Sequence, residues 1–254
     1  MRLNVYLQKA GIGSRREAER LVLEGRVTVN GVIAAATTPV NEGDAVTLNG
    51  KSVAPETRPA PRLFMLYKPL GALVTNSDPQ GRLTIYDLPA MKAPLWKRGW
   101  PRVMNVGRLD VNSEGLLLLS SDGPLAQAMM NPENALRRVY RVRVRGRLKE
   151  SDIAALAAGV TVDDVVYRGV EAVPESDDTK PANSWYRVVL TEGKNREIRK
   201  LMDYFGCIVN RLVRIQYGPF EIGKQEPGTV IEIPPGDVVK MVGELGLGRG
   251  LSAG

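Results

Sequence analysis

The apolar positions of the chain change their period part-way along the sequence. Residues 3–10 and 14–24 each carry apolar residues at helical spacing, which predicts two short helices. Short β-type runs follow at 27–29 and 46–48, and each leads into an Asn-Gly pair that favours a tight hairpin turn. Residues 1–53 are therefore predicted to form a small unit of two helices and short strands.

A proline-rich segment separates this unit from the rest. Residues 54–61 have no apolar period and are predicted to be a semi-rigid linker. Residues 62–242 have mostly the short, alternating runs of β-strands, with 76–101 predicted to be a long ordered loop. Residues 243–254 are rich in glycine and are predicted to be a disordered tail. The pattern predicts an α+β protein with two domains.

Two segments of the larger domain have clear periods. Residues 138–147 alternate strictly, which places Tyr140 on one face of a predicted strand and arginines on the other. A later helix carries its apolar residues on one stripe, with Asn195 as the predicted cap and Gly206 as the stop.

Composition narrows the possible chemistry. The 254 residues include 35 Lys+Arg and 28 Asp+Glu, a net charge of +7, which favours a polyanionic partner but also fits an ordinary basic enzyme. With no histidine, the chain has neither a Ser-His-Asp mechanism nor an imidazole metal ligand. Its single cysteine, Cys207, excludes an intrachain disulfide and a thiolate zinc cluster, and we interpret it as a small packing residue.

No apolar run approaches the length of a membrane helix, and the start lacks the pattern of a secretory signal. We therefore expect a cytoplasmic enzyme that uses carboxylate, tyrosine, lysine or arginine chemistry.

Asp110 is the first candidate for that chemistry. It follows Gly107-Arg108-Leu109 and precedes Gly115 and the apolar run 116–119, which suits a fully buried strand. A carboxylate on such a loop is anchored by a rigid element, but an Asp near glycines is more often a turn former. Spacing alone favours the turn role.

These residues resemble the first signature of the pseudouridine synthases of the ribosomal small-subunit and large-subunit group. The family usually carries Thr where this chain has Ser113. The resemblance implies that Asp110 is the essential catalytic residue, and that Arg108 occupies the space of a flipped-out uridine or holds a phosphate.

Two further signatures fit the same family. Tyr140 matches a tyrosine that stacks on the target base, a role that needs a flat ring. The segment from Thr191 to Gly206 resembles the third signature, in which a basic residue pairs with the catalytic aspartate and keeps it ionised. We align Arg199 with that residue and keep Lys194 and Arg196 as alternatives.

The resemblance also implies RNA contacts. Residues 7–11, 14–19 and 25–31 resemble the alpha-L RNA-binding domain, which docks structured RNA through its basic face. A solvated helix face is the other interpretation, because glutamates are interleaved with the basic residues Lys9, Arg15, Arg16, Arg20 and Arg26. Lys68, in the Tyr-Lys-Pro segment that opens the family's catalytic domain, is either a phosphate contact or a solvated strand-end lysine. Lys194 and Arg196 are further candidate contacts.

The resemblance implies a catalytic domain built on a mixed, mostly antiparallel β-sheet flanked by helices and loops. It implies site-specific isomerisation of uridine to pseudouridine in ribosomal RNA, with the large-subunit RNA preferred, without a metal or other cofactor. The substrate is naked RNA or a partly assembled particle, and we expect a monomer that binds no membrane. The alternatives are a relative acting on small-subunit RNA or on another large-subunit uridine, and a non-catalytic ribosome assembly factor in which Asp110 only forms a turn.

Overall fold

The structure is a computed structural model that describes residues 1–247, except 11, 13–14, 36, 42, 55–59, 93–98 and 176–182. These residues form two compact units, one within residues 1–60 and one beginning at residue 61. Most of the predicted linker and residues 248–254 of the predicted tail lie outside the described residues, so the linker and this part of the tail stay predictions, as do the exact domain boundaries.

The first unit consists of two helices and a four-stranded antiparallel sheet. The sheet order is β2-β1-β3-β4. Asn30 and Gly31 have φ values of 52° and 82°, and Asn49 and Gly50 have 52° and 77°, as a two-residue hairpin turn requires. Both predicted hairpins are confirmed. The elements are α1 (Leu3–Lys9), α2 (Arg15–Leu23), β1 (Val27–Val29), β2 (Val32–Ile33), β3 (Val46–Leu48) and β4 (Lys51–Ser52).

The second unit is built on a large mixed sheet with helices around it. Its strands are β5 (Leu63–Lys68), β6 (Met104–Val106), β7 (Glu114–Ser120), β8 (Arg138–Arg145), β9 (Val160–Val162), β10 (Val165–Tyr167), β11 (Glu171–Pro174), β12 (Ser184–Leu190), β13 (Ile208–Tyr217), β14 (Phe220–Glu221) and β15 (Val230–Glu232). Its helices are α3 (Pro89–Lys92), α4 (Gly123–Met130), α5 (Glu150–Ala158), α6 (Glu197–Tyr204) and α7 (Pro235–Glu244), with 3-10 turns at Ile85–Asp87 and Pro132–Asn134.

The main sheet has the order β11-β12-β8-β13-β7-β5-β15, with β6 added to β7 and β14 added to β13. Its described strand pairs are antiparallel except for β7 with β13, which run parallel. Strands β9 and β10 form a separate hairpin. The α+β fold with a mixed, mostly antiparallel sheet is confirmed. None of the described helices is long and apolar enough to cross a membrane.

The predicted strand patterns are also confirmed. All seven residues of β7 are buried, as expected of an apolar strand at the centre of a sheet. In β8 the side chains alternate from Tyr140 onwards, with Tyr140 buried and Arg141 exposed. Cys207 is buried, and burial raises the pKa of its thiol above the usual value, which fits a packing residue.

Three expectations need correction. Helix α6 begins at Glu197, and its cap is Arg196 rather than Asn195, because Arg196 adopts a left-handed conformation with φ of 53°. The predicted loop 76–101 contains a 3-10 turn and the short helix α3. Helix α7 was not expected, and it extends into the segment predicted to be a disordered tail.

The junction between β7 and β13 depends on one glycine. Gly115 pairs with Arg214 of β13 and has a φ of 102°. A Cβ atom at Gly115 would lie 2.3 Å from the carbonyl oxygen of Arg214 and 2.8 Å from its nitrogen. Both atoms belong to the backbone, so a larger residue forces the two strands apart.

Gly115→Ala is expected to destabilise the fold by on the order of 3 kcal/mol, from overpacking and the left-handed backbone together. Chemical denaturation measures the change. Gly236→Ala is the control, because a Cβ at Gly236 in α7 meets no atom within 4 Å, and it should keep or slightly raise the free energy of unfolding. Equal stability of Gly115→Ala and the wild type would contradict the close strand contact.

Candidate active site

A cleft of about 990 Å³ opens in the second unit. Its walls come from the loops before β7 and α6 and from β8, β12 and β13. It brings together six of the residues predicted from the sequence, namely Arg108, Asp110, Tyr140, Lys194, Arg196 and Arg199. These residues are far apart in the sequence, so the fold makes the site.

Two arginines flank the carboxylate of Asp110. Oδ2 of Asp110 lies 3.6 Å from Nη1 of Arg196 and 3.8 Å from Nε of Arg199. The two arginines differ in burial, because the side chain of Arg199 is 14% exposed and that of Arg196 is 51% exposed. Water screens the exposed pair far more than the buried one, so Arg199 is the stronger partner.

The guanidinium of Arg199 is fixed by the backbone around it. Nη2 donates to the carbonyl of Asn112 at 2.8 Å and to Oγ of Ser113 at 3.4 Å, and Nη1 donates to the carbonyl of Val209 at 3.2 Å. Nε is buried and has no hydrogen-bond acceptor within the described residues. Burial lowers the pKa of Arg199, the nearby Arg196 lowers it further, and Asp110 opposes both. The Nε–H of Arg199, the nitrogen nearest to the Asp110 carboxylate, is thus free of any other acceptor in the described part of the chain.

Tyr140 forms part of the cleft wall together with Arg214, which the sequence analysis missed. Arg214 is almost fully buried, and its Nε donates to the carbonyl of Leu116 at 2.7 Å. Its Nη1 lies 3.5 Å from the hydroxyl of Tyr140, a weak hydrogen bond. Nη2 is buried with no acceptor among the residues that the structure describes. Arg214 is therefore held against Tyr140 by the backbone of β7.

A second arginine continues this wall. Arg138 donates from Nη2 to the hydroxyl of Tyr217 at 2.8 Å, and that hydroxyl donates to the carbonyl of Met129 at 2.9 Å. The guanidinium groups of Arg138 and Arg214 lie 4.7 Å and 5.1 Å from the centre of the Tyr217 ring. The alternation of side chains along β8 was the sequence signal for Arg138, because this residue lies two positions before Tyr140 and therefore on the same face of the strand.

The structure corrects both interpretations of Lys68. Its side chain is fully buried, so it is neither solvated nor open to an RNA phosphate. Nζ donates to the carbonyl of Ser113 at 2.7 Å and to that of Pro69 at 3.0 Å. Burial lowers the pKa of Lys68 to about 8, although Asp110 and Glu114 favour its charged form. Lys68 anchors the segment that follows Asp110.

Among the described ion pairs, Lys194 pairs with the buried Glu192 rather than with Asp110. Its Nζ donates to Oε2 of Glu192 at 2.6 Å and to the carbonyl of Val166 at 2.8 Å. Glu197 accepts the backbone N–H of Lys194 at 2.8 Å. Burial and the neighbouring Glu192 raise the pKa of Glu197 to about 7. Although burial opposes it, hydrogen bonds from Lys194 and from the backbone N–H of Arg168 lower the pKa of Glu192, so Glu197 is the carboxyl group of the two that favours the protonated form.

Three of the other predicted RNA contacts, Arg20, Arg26 and Arg108, are exposed. Arg108 is exposed at the edge of the cleft. In the first unit, Arg20 and Arg26 are exposed and form ion pairs with Glu24 at 2.8 Å and 3.1 Å. The side chains of Lys9, Arg15 and Arg16 lie outside the described residues. RNA binding by all of these residues stays a prediction.

Comparison with known proteins identifies both units. Residues 62–204 match the family model described as RNA pseudouridylate synthase, and residues 1–46 match the S4 domain. An uncharacterized RNA pseudouridine synthase of Rickettsia felis is 42% identical over 236 residues, covering 91% of this chain and 96% of the relative.

Other similar proteins carry a more specific name. Ribosomal large subunit pseudouridine synthase B of Pseudomonas aeruginosa is 39% identical and covers 86% of this chain and 55% of the relative. The protein of that name from Yersinia pestis is 37% identical and covers 89% and 70%. A solved pseudouridylate synthase structure covers 95% of this chain and 100% of that chain with a TM-score of 0.64, at 22% identity, and so supports the fold.

Glu197→Gln is expected to remove a pH dependence of stability. The carboxyl of Glu197 has a pKa of about 7 in the folded protein against an ordinary value of 4.5, so the folded chain holds a proton that the unfolded chain releases between these values. The wild type should lose stability over this range relative to the variant, by on the order of 1 kcal/mol or more.

Urea unfolding at about pH 5 and about pH 8 measures this difference. Glu244→Gln is the control, because Glu244 is exposed at the end of α7 and should follow the wild type at both pH values. The assignment of the proton to Glu197 fails if the stability of Glu197→Gln changes with pH in parallel with the wild type.

Proposed function

The chain belongs to the RNA pseudouridylate synthase family, and from that premise we propose that it converts one uridine of the large-subunit ribosomal RNA into pseudouridine. The observation that carries the proposal is the placement of Asp110 in an open cleft, between the largely buried Arg199 and the exposed Arg196. The names of similar proteins from Pseudomonas aeruginosa and Yersinia pestis favour the large subunit.

The reaction is an isomerisation in which all atoms are retained. The bond between ribose C1′ and uracil N1 breaks, the detached base turns, and C1′ bonds to C5. The proton leaves C5, and N1 ends with a proton. Because a uridine inside a helix has its ribose and base edges covered, we infer that the target is flipped out of its stack into the cleft. The exposed Arg108 at the cleft edge then holds a phosphate or occupies the vacated position.

Asp110 is the group that acts on the ribose. Its carboxylate either attacks C1′ or removes a proton from the sugar, and each role needs a charged carboxylate directed into the cleft. Arg199 orients that carboxylate, because its own position is fixed by carbonyl groups on both sides. Oriented charge of this kind requires no rearrangement during the reaction.

Tyr140 is proposed to stack on the uracil and to take part in removing the C5 proton. Its ring lines the cleft, and its hydroxyl lies within 3.5 Å of Nη1 of Arg214. The guanidinium of Arg214 also lies 6.0 Å from the centre of the Tyr140 ring. Arg214 thereby also fixes the orientation of the ring.

The S4 domain supplies further RNA contacts. Its exposed Arg20 and Arg26 suit phosphate binding, because their partner Glu24 is itself exposed and so competes only weakly. We propose that the chain acts as a cytoplasmic monomer on ribosomal RNA, either naked or within a partly assembled particle.

Asp110→Asn is expected to abolish conversion while the protein stays folded and bound to RNA, because the amide keeps the shape of the carboxylate but has no charge. Purified wild type and variant are compared on transcribed large-subunit RNA, with pseudouridine read by mass spectrometry and binding read separately. Appreciable conversion by the variant would exclude Asp110 as the reactive group. Conversion of small-subunit RNA alone by the wild type would exclude the proposed substrate.

Arg199→Lys is expected to lower the single-turnover rate on the order of 10²-fold, because lysine keeps the charge but loses the bidentate fit to the carbonyl groups. Arg196→Lys is the matched control and should lose less than about fivefold, since its ion pair is exposed. The rate is measured at saturating RNA, so weaker binding does not affect it. Equal losses in the two variants would contradict the assignment of Arg199.

A further inference from the structure

The face of the large sheet opposite the cleft carries a group of arginines that the reaction does not use. Strands β12, β8 and β13 are neighbours, and alternate residues of each point to opposite faces. The side chain of Tyr140 points into the cleft, so the side chains of its two neighbours in sequence point to the opposite face of the sheet. We call the exposed group the arginine face, which consists of Arg141, Arg143, Arg145, Arg187 and Arg211.

The strand register puts like charges directly opposite one another. Arg141 pairs with Arg187 across β8 and β12, and Arg143 pairs with Arg211 across β8 and β13. Like charges in such positions destabilise a sheet. One arginine of each pair has a carboxylate partner in the chain, and an anion bound beside Arg143 or Arg187 would remove the repulsion that remains.

The chain neutralises only part of this charge. Arg141 forms an ion pair with Glu175 at 2.7 Å, and Arg211 forms one with Glu114 at 2.6 Å. In the part of the chain that the structure describes, no carboxylate lies within ion-pair distance of the remaining three, Arg143, Arg145 and Arg187. The face therefore keeps an excess of positive charge.

Trp185 lies within the arginine face. It pairs with Arg143 in the register of β12 and β8, and the guanidinium of Arg141 lies 4.9 Å from the centre of its ring. This contact restrains Arg141 while the indole covers the sheet beneath it. Strand spacing and rise give the face dimensions of roughly 10 Å by 13 Å, the size of a short stretch of nucleic-acid backbone.

We propose that the arginine face is a second RNA-binding surface that holds phosphates of a structured RNA segment distant from the one in the cleft. All five basic residues are arginine, whose planar fork matches phosphate better than the point charge of lysine. The proposal rests on the proposed function, which makes RNA the partner. A folded ribosomal RNA reaches around the sheet, whereas a short stem-loop in the cleft does not.

The test measures RNA binding by the full chain that carries both Arg143→Gln and Arg187→Gln, in comparison with the wild type. Affinity for a full-length large-subunit RNA transcript is expected to fall roughly tenfold, and the slope of log affinity against log salt should decrease by about 1 to 2. Affinity for a short stem-loop transcript should not change. Arg143→Lys with Arg187→Lys should keep most of the affinity, because the charge remains.

Lys224→Gln with Lys240→Gln is the matched control, because it removes two exposed positive charges elsewhere in the same unit and should bind like the wild type. Wild-type binding of the long transcript by the arginine-to-glutamine variant would overturn the proposal, and so would an equal loss for both RNAs. Polyglutamate is the probe for an acidic protein partner. If the arginine-to-glutamine variant keeps its RNA affinity but loses binding to polyglutamate, the face binds an acidic protein and the proposal is wrong. RNA binding is measured in the absence of turnover, so the result does not depend on whether the chain isomerises uridine.

Discussion

The parallel contact between β7 and β13 is the constraint on which the site depends. Gly115 has no side chain, and this lets the backbone of Arg214 approach within the distance that a Cβ would occupy. The loop carrying Asp110 leads directly into this contact, while Tyr140 lies opposite Arg214 on the next strand. One close backbone approach therefore sets the distance between the carboxylate and the aromatic wall of the cleft.

Buried cations fix the same short segment from several sides. The carbonyl groups of residues 112, 113 and 116 accept hydrogen bonds from Arg199, Lys68 and Arg214, respectively. Burying a cation costs free energy unless its N–H groups are satisfied, and here the carbonyl groups supply most of the acceptors. The arrangement keeps the Asp110 loop rigid. It also explains why Lys68, which touches no solvent, lies beside the site.

The sequence predicted the elements better than their contacts. The apolar run of β7, the alternation of β8 and the Asn-Gly hairpins are local signals, and each was confirmed. The parallel pairing of β7 and the burial of Lys68 depend on strands far apart in the chain, so no local pattern shows them. Arg214 was missed for the same reason. The start of α6 was misplaced because Arg196 adopts a left-handed conformation, which is uncommon for arginine.

We propose that the carboxylate of Asp110, held by Arg199 in the cleft, is the reactive group in the isomerisation of one uridine of ribosomal RNA. The direct test is pseudouridine mapping of both ribosomal RNAs. The RNAs come from cells that lack the gene, and from the same cells supplied with either the wild type or Asp110→Asn. We expect one large-subunit pseudouridine to be lost without the gene and restored only by the wild type. An unchanged pseudouridine map, or restoration by Asp110→Asn, would contradict it.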